Sequence, residues 1–204
     1  ERPEGAFFFR NLRIEEIPLA SVPVPVEGAA VYHLDIGSIP EFRVRKLGSN
    51  RIEGMPEKLP KGIKAQCYRP VASGDFSRET REGVPVLAAA ISNGEPAVQF
   101  AFELEGDLGV TLKPGQRYRL KVEYQTTAEG DGVMTVHIPI RSGGTARFRN
   151  LATTTLPTNA SGWRTAIAEF TREDDMSIRF TIDPKSVATG SVIYVRAVDV
   201  VEMK

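Results

Sequence analysis

Apolar and polar side chains alternate over residues 117–124, RYRLKVEY, directly after a turn at Pro114-Gly115. Successive side chains of a β-strand point to opposite faces, so this alternation is typical of an antiparallel strand with one buried face. Similar patterns recur over residues 133–140, 163–171, 176–183 and 191–201. No segment sustains an apolar stripe with helical spacing. We therefore predict an all-β, two-sheet antiparallel sandwich with few or no helices.

The first residues differ in character from the rest of the chain. Residues 9–14, FRNLRI, resemble the closing strand of concanavalin-like β-sandwich domains, and a proline-rich connector follows at Pro18–Pro25. We therefore assign residues 1–20 to an N-terminal strand and linker and residues 21–204 to the sandwich. The resemblance implies that residues 1–20 are the end of a preceding domain. Because the chain starts at Glu1 without a leader, we expect it to be part of a longer, multidomain protein.

Two further features predict local structure. Proline and glycine interrupt every run between Gly48 and Glu82, which predicts a long loop region. Residues 84–91 are nearly all apolar, as expected of a central strand, and Asn93-Gly94 is a strong turn signal. We therefore predict a β-hairpin that joins this strand to the alternating residues 98–105.

Composition limits the possible partners. The chain has 26 basic and 26 acidic side chains, so its overall charge favours neither nucleic acid nor an anionic membrane. Its longest apolar run, 84–91, is far shorter than the roughly 20 residues that span a bilayer. We expect no nucleic-acid or membrane partner. Cys67, the single cysteine, cannot form an internal disulfide, and we expect it to be an inert, partly buried thiol.

Signatures of catalysis are missing from the sequence. It contains no Gly-x-Ser-x-Gly elbow, phosphate-binding loop or His-Glu-x-x-His motif. Glu103, Glu105 and Asp107 alternate along one strand and cannot flank a glycosidic bond as a catalytic pair does. His33 and His137 are not at metal-ligand spacing. We expect a protein that is not an enzyme and that has no metal and no cofactor.

A set of folding residues points to a known architecture. The chain resembles the jelly-roll carbohydrate-binding modules of the galactose-binding-like superfamily over residues 84–201, in Leu112, Pro114, Gly115, Tyr118, Leu120, Tyr124, Gly162, Trp163, Phe170, Phe180, Ile193, Tyr194 and Val195. Many such modules end in an Ile-Asp-Asp-Val stretch that helps to bind a structural calcium. Here the stretch is Val195–Val198 with Arg196, a cation, inside it, so we expect folding to be independent of calcium.

The resemblance implies a sugar-binding surface with aromatic and polar side chains. We expect the single tryptophan, Trp163, to pack in the core, together with Tyr118, Tyr124 and Tyr194. Tyr32, Tyr68 and Phe148 then remain as candidate stacking platforms, and we place Tyr68 and Phe148 at one rim of the binding surface. Outward-facing polar residues of several strands are predicted to form one binding surface, namely Arg119, Lys121, Glu123, His137 and Arg179. The alternative is a solvated sheet face crossed by ion pairs.

Three hypotheses for function follow. The first is a non-catalytic carbohydrate-binding module of an extracytoplasmic multidomain protein, with an oligo- or polysaccharide as ligand and adjacent domains as partners. The second is a structural or protein-interaction sandwich that does not bind glycans. The third is a hydrolytic enzyme. Exposed aromatic rings beside a groove would favour the first hypothesis, and a fully solvated face without a groove would favour the second.

Overall fold

The computed structural model describes residues 27–47, 59–93, 97–105, 108–127, 131–142, 145–173, 177–184 and 189–204. Within these ranges the chain forms twelve β-strands and one 3₁₀ turn, Ile36–Ser38. The strands are β1 (Glu27–His33), β2 (Phe42–Leu47), β3 (Ile63–Cys67), β4 (Ser73–Arg81), β5 (Val84–Ile91), β6 (Val98–Glu103), β7 (Arg117–Thr127), β8 (Gly132–Ser142), β9 (Thr145–Leu156), β10 (Asn159–Thr171), β11 (Arg179–Pro184) and β12 (Val192–Met203). The predicted all-β class is confirmed. The predicted N-terminal unit, 1–20, lies outside the described residues.

The strands form two antiparallel sheets. The large sheet has seven strands in the order β10-β7-β12-β5-β4-β2, with β1 also paired to β12. The small sheet has five strands in the order β3-β6-β11-β8-β9. Phe76 of the large sheet contacts Phe100 of the small sheet, with ring centroids 5.3 Å apart, so the two sheets pack face to face. No helix in the part of the chain that the structure describes is long and apolar enough to cross a bilayer.

Alternation in the sequence determines which side chains enter the core. In β7, the buried side chains are Tyr118, Leu120, Val122 and Tyr124. The side chains that alternate with them point outwards, namely Arg117, Arg119, Lys121 and Glu123. Strand β5 pairs with β4 on one side and with β12 on the other. Its near-continuous apolar sequence therefore corresponds to a central strand, as predicted.

Two local predictions are wrong. Strand β5 belongs to the large sheet and β6 to the small sheet, so the chain crosses between sheets after Asn93 and does not form a hairpin there. The Asn93 carboxamide oxygen accepts a hydrogen bond from the Ser73 amide at 2.8 Å, and this bond ties the crossing to the start of β4. The predicted loop region 48–82 contains β3 and β4. Their pairing with neighbouring strands outweighs the proline and glycine signals around them.

Trp163 lies on the outer face of the large sheet, and the prediction that it packs in the core is wrong. The buried residues of β10 are Ala166, Ala168 and Phe170, so 163, 165 and 167 point outwards, and Ile167 is 45% exposed. Trp163 is half-buried, with the Arg196 Cζ 4.7 Å from the centre of its ring. The sequence suggests the opposite orientation of β10, because its inner side carries small alanines and its outer side carries the larger apolar Trp163 and Ile167.

The tyrosines divide in the same way. Tyr118 and Tyr124 are buried in the core, as predicted. Tyr194 is half-buried on the outer face of the large sheet, where the Arg81 Cζ lies 4.4 Å from its ring centre, so its prediction as a core residue is wrong. Ile193 and Val195 on either side of Tyr194 are fully buried, and strand alternation therefore turns it outwards.

Phe180 is a core residue whose removal should cost much stability. It is fully buried, and its ring stacks on that of Phe102 with centroids 4.4 Å apart. Phe180→Ala should therefore lower the free energy of unfolding by about 3–5 kcal/mol, measured by urea denaturation. Phe148→Ala is the matched control, because Phe148 is 42% exposed, and it should cost about 1 kcal/mol or less. Equal losses in the two variants would contradict this assignment of the core.

Candidate functional site

The structure separates the five polar residues that were predicted to form one surface. Arg119, Lys121 and Glu123 lie on β7 of the large sheet, whereas His137 and Arg179 lie on β8 and β11 of the small sheet. The outer faces of a sandwich point in opposite directions. The prediction of a single shared surface is therefore wrong. Alternation identifies outward residues, but it does not show which sheet a strand joins.

The β7 residues take part in a face crossed by ion pairs. Arg119 Nε donates to Glu169 at 3.0 Å, and Arg196 Nε donates to Glu123 at 2.6 Å. The guanidinium groups of Arg119 and Arg117 hold the pKa of the Glu169 carboxyl below its usual value. This is the arrangement expected of a solvated sheet face. A ligand-binding role for Arg119, Lys121 and Glu123 stays a prediction.

The outer face of the small sheet carries a second set of polar side chains, which we call the polar face. Strand pairing aligns Gln66 with Gln99, and it aligns Arg179 with both Glu103 and His137. The inner side of the same strands is occupied by the core phenylalanines and aliphatic residues. We define the polar face by its outward residues, Lys64, Gln66, Gln99, Glu103, Thr135, His137, Arg179 and Thr181.

Several side chains of the polar face are buried although they point away from the core. The exposed fraction is 5% for Gln66, 4% for Thr181 and 8% for His137. Polar groups on the outside of a sheet are usually solvated, and buried ones require hydrogen-bond partners. The polar face is therefore a sheltered surface.

Hydrogen bonds connect the polar face across three strands. Arg179 Nη2 donates to Gln66 Oε1 at 2.6 Å, and Gln99 Nε2 donates to the same oxygen at 2.9 Å. The Glu103 carboxylate lies 3.5 Å from Arg179 Nη1 and 3.9 Å from Lys64 Nζ. Two cations thus share one carboxylate, and the guanidinium is held from two sides.

Phe148 joins this network from β9. An irregularity in the pairing of β8 with β9, between Val136 and His137, leaves one extra residue on β9. The Phe148 ring lies 4.7 Å from the His137 ring and 5.3 Å from the Arg179 Cζ, measured to ring centroids. Phe148 nevertheless remains 42% exposed. The structure therefore brings together three predicted site residues, His137, Arg179 and Phe148, and leaves an aromatic surface available beside them.

His137 is neutral at pH 7. Burial, with a smaller contribution from the nearby Arg179 charge, lowers the pKa of His137 to about 4. Its Nε2 atom is buried and makes no hydrogen bond with any residue that the structure describes. A neutral imidazole can donate or accept a hydrogen bond, so the hydrogen-bonding capacity of this nitrogen is unused within the described part of the chain.

Tyr68 lies at the other end of the polar face. It directly follows β3 and is 38% exposed. Ile63 at the start of β3 is level with Phe102, so Tyr68 is about 20 Å along the strand direction from the row that contains His137. The prediction that Tyr68 and Phe148 share one rim is therefore wrong.

Gln66 and Lys64 were missed because they lie in the region predicted as a loop. A short signal was present in the sequence, since Ile63, Ala65 and Cys67 alternate with Lys64 and Gln66. All three apolar residues are buried in the structure. Five residues between glycine and tyrosine were too few to outweigh the surrounding breakers.

Comparison with known proteins bears on the fold. No family model and no curated protein sequence matches the chain. Among solved structures, the CBM22-1 xylan-binding domain from Paenibacillus barcinonensis Xyn10C is similar over 87% of this chain and 96% of its own, with a TM-score of 0.52 and 12% identity. This chain has the fold of carbohydrate-binding modules. At this level of identity the likeness concerns the fold alone.

Two larger structures contain the same kind of domain. The N-terminal CBM22-1-CBM22-2 tandem domain of the same Paenibacillus protein matches 85% of this chain, with a TM-score of 0.54 and 13% identity. The CBM22-1-GH10 modules of Clostridium thermocellum endo-1,4-beta-D-xylanase 10B, complexed with xylohexaose, match 85% of it, with a TM-score of 0.51 and 13% identity. This chain spans 50% of the tandem structure and 28% of the xylanase structure.

The lowered pKa of His137 predicts a pH dependence of stability. The folded pKa of about 4 lies below the value of 6.5 for a free histidine, so its contribution is fully present above pH 6.5. It is lost as the pH falls through about 4, because the unfolded chain then binds the proton more tightly. Denaturation in urea between pH 7 and 4 should show a loss of up to about 3 kcal/mol from this residue.

His137→Gln should remove that part of the pH dependence, since glutamine stays neutral over this range. His33→Gln is the matched control, because His33 is exposed and paired with Asp199 at 2.7 Å. If His137→Gln and the wild type lose the same stability on acidification, the burial of a neutral His137 is wrong.

Proposed function

We propose that this chain is a non-catalytic carbohydrate-binding module, and that its polar face binds an uncharged polysaccharide chain. Xylan is the first candidate ligand, because the similar domain from Paenibacillus barcinonensis is a xylan-binding domain. We further propose that the module belongs to a larger, extracytoplasmic multidomain protein, as a xylanase structure with the same fold contains a GH10 module beside CBM22-1.

The observation that carries this proposal is the exposed Phe148 ring next to sheltered polar groups. A sugar ring presents C–H groups on its faces and hydroxyls around its edge. Recognition therefore combines an aromatic surface with convergent donors and acceptors. On the polar face, Phe148 supplies the aromatic surface, whereas Gln66 supplies an amide nitrogen for hydroxyl and ether oxygens.

The charges of the polar face support an uncharged ligand. Glu103 is close to both Arg179 and Lys64, and His137 is neutral at pH 7. Both cations are thus already paired within the protein, and the three groups together carry one net positive charge. A charged ligand would compete with these pairs, whereas hydroxyl groups can bind beside them.

The engagement of Glu103 also supports a role without catalysis. A glycosidase requires two carboxyl groups that flank the scissile bond, one of them able to give up a proton. Both contacts of the Glu103 carboxylate described above are with cations of the protein itself, Arg179 and Lys64. Glu123 and Glu169, the other carboxylates described above as paired with arginine, belong to the opposite sheet.

Phe148→Ala tests the proposal through affinity. Isothermal titration of the wild type with xylohexaose should give a dissociation constant in the micromolar to millimolar range, as expected of few contacts. Loss of the stacking ring should weaken binding by about tenfold, or ~1.4 kcal/mol. Trp163→Ala is the matched control, since it removes a half-buried aromatic ring from the opposite face, and its affinity should equal that of the wild type.

Two outcomes would contradict the proposal. If Trp163→Ala lost affinity while Phe148→Ala retained it, the binding surface would be the large sheet. If the wild type bound no glycan on an array of plant and bacterial polysaccharides, carbohydrate binding would be wrong, and the structural or protein-interaction sandwich would be favoured.

A further inference from the structure

The orientation of the Gln66 amide is imposed by its neighbour. Arg179 Nη2 lies 2.6 Å from the Gln66 side chain, and a guanidinium group can only donate hydrogen bonds. The Gln66 atom that faces it must therefore be the carbonyl oxygen, Oε1. The amide nitrogen, Nε2, is consequently turned away from Arg179.

The same constraint passes to a second amide. Gln99 lies directly opposite Gln66 on the neighbouring strand, and its Nε2 donates to Gln66 Oε1 at 2.9 Å. Because Gln66 presents an oxygen, Gln99 has to present its nitrogen, and its own oxygen is turned away. Gln66 Nε2 and Gln99 Oε1 make no hydrogen bond with any part of the chain that the structure describes.

Two contacts fix the Arg179 guanidinium beside Gln66. Its Nη1 lies 3.5 Å from the Glu103 carboxylate, and the Phe148 ring packs 5.3 Å from its Cζ. An amide without such a neighbour can turn over and exchange the positions of its donor and acceptor. A guanidinium fixed on two sides prevents this exchange in Gln66, and through Gln66 it prevents the exchange in Gln99.

We propose that Arg179 is a positioning residue that fixes Gln66 as a hydrogen-bond donor and Gln99 as an acceptor toward the ligand. The polar face would then recognise ligand groups in one donor–acceptor order. The group at Gln66 is an oxygen acceptor such as a ring, glycosidic or hydroxyl oxygen, and the group at Gln99 is a hydroxyl donor. This inference rests on the proposed function and adds the hydrogen-bonding order that the ligand must offer.

Gln66→Glu is the sharpest test of this order. The carboxylate has nearly the same shape and can still accept the hydrogen bonds from Arg179 and Gln99, so the variant should fold with the wild-type melting temperature at pH 7. It has no N–H group for the ligand. Its affinity for xylohexaose, measured by isothermal titration, should therefore fall about tenfold.

The chain offers a matched control on the opposite face. Gln125 is 2% exposed, and its Oε1 accepts a hydrogen bond from Arg81 Nε at 2.8 Å. Gln125→Glu makes the same chemical change beside the same kind of partner, and it should leave the affinity for xylohexaose at the wild-type value. Wild-type affinity in Gln66→Glu, or an equal loss in both variants, would overturn the proposal.

Two substitutions of Arg179 test whether a donor-only side chain is required at this position. Lysine can only donate, so Arg179→Lys should still hold Gln66 Oε1 and retain most of the affinity. Glutamine can donate or accept, so Arg179→Gln should release both amides and weaken binding about tenfold. Equal affinities in these two variants would contradict a positioning role.

Stability without any ligand distinguishes failure of this inference from failure of the proposed function. In urea denaturation at pH 7, Arg179→Gln should cost more in the Gln66→Glu background than in the wild type, because it removes a charged partner. Equal costs would overturn the contact between Arg179 and Gln66. If the unequal costs appear but no glycan binds the wild type, the proposed function and the ligand role of the amides are wrong, and only the positioning of Gln66 is supported.

Discussion

The position of β11 between β6 and β8 determines both the core and the candidate site. Phe180 of β11 stacks on Phe102 of β6 in the core, with ring centroids 4.4 Å apart. Side chains alternate along a strand, so the burial of Phe180 turns its neighbour Arg179 outwards, opposite Glu103 and His137. A shift of the register by one residue would put a guanidinium in the core. The stacking in the core and the network on the polar face therefore depend on the same register.

The two outer faces of the sandwich use their cations differently. On the large sheet, Arg196 and Arg81 cover the rings of Trp163 and Tyr194, which removes flat aromatic surface from solvent. On the small sheet, Arg179 lies beside Phe148, which remains 42% exposed. Cation–π contacts on the first face contribute to stability, about 0.5–1 kcal/mol each at exposed sites. The second face keeps an exposed aromatic surface for interactions outside the chain.

Much of the fold could be predicted from the sequence, because alternation over residues such as 117–124 states directly which positions are buried. The site could be predicted only in part. His137, Arg179 and Phe148 were identified from alternation and composition, and the structure brings them together. The grouping with Arg119, Lys121 and Glu123 failed, because sheet membership is decided by long-range pairing that a local pattern does not record. The prediction that Trp163 packs in the core was wrong for a related reason. Alternation shows that every second residue faces the core, but it does not show which of the two sets does.

The polar face of the small sheet is proposed to bind a polysaccharide chain. The sharpest test is a titration of the isotopically labelled protein with xylohexaose. Binding is detected as changes in the NMR chemical shifts of assigned backbone and side-chain amides. We expect the changes to concentrate on Gln66, Gln99, His137 and Phe148, with the Gln66 side-chain amide among the largest. Changes confined to the large sheet around Trp163 and Tyr194 would contradict it, as would a spectrum that does not change at millimolar ligand.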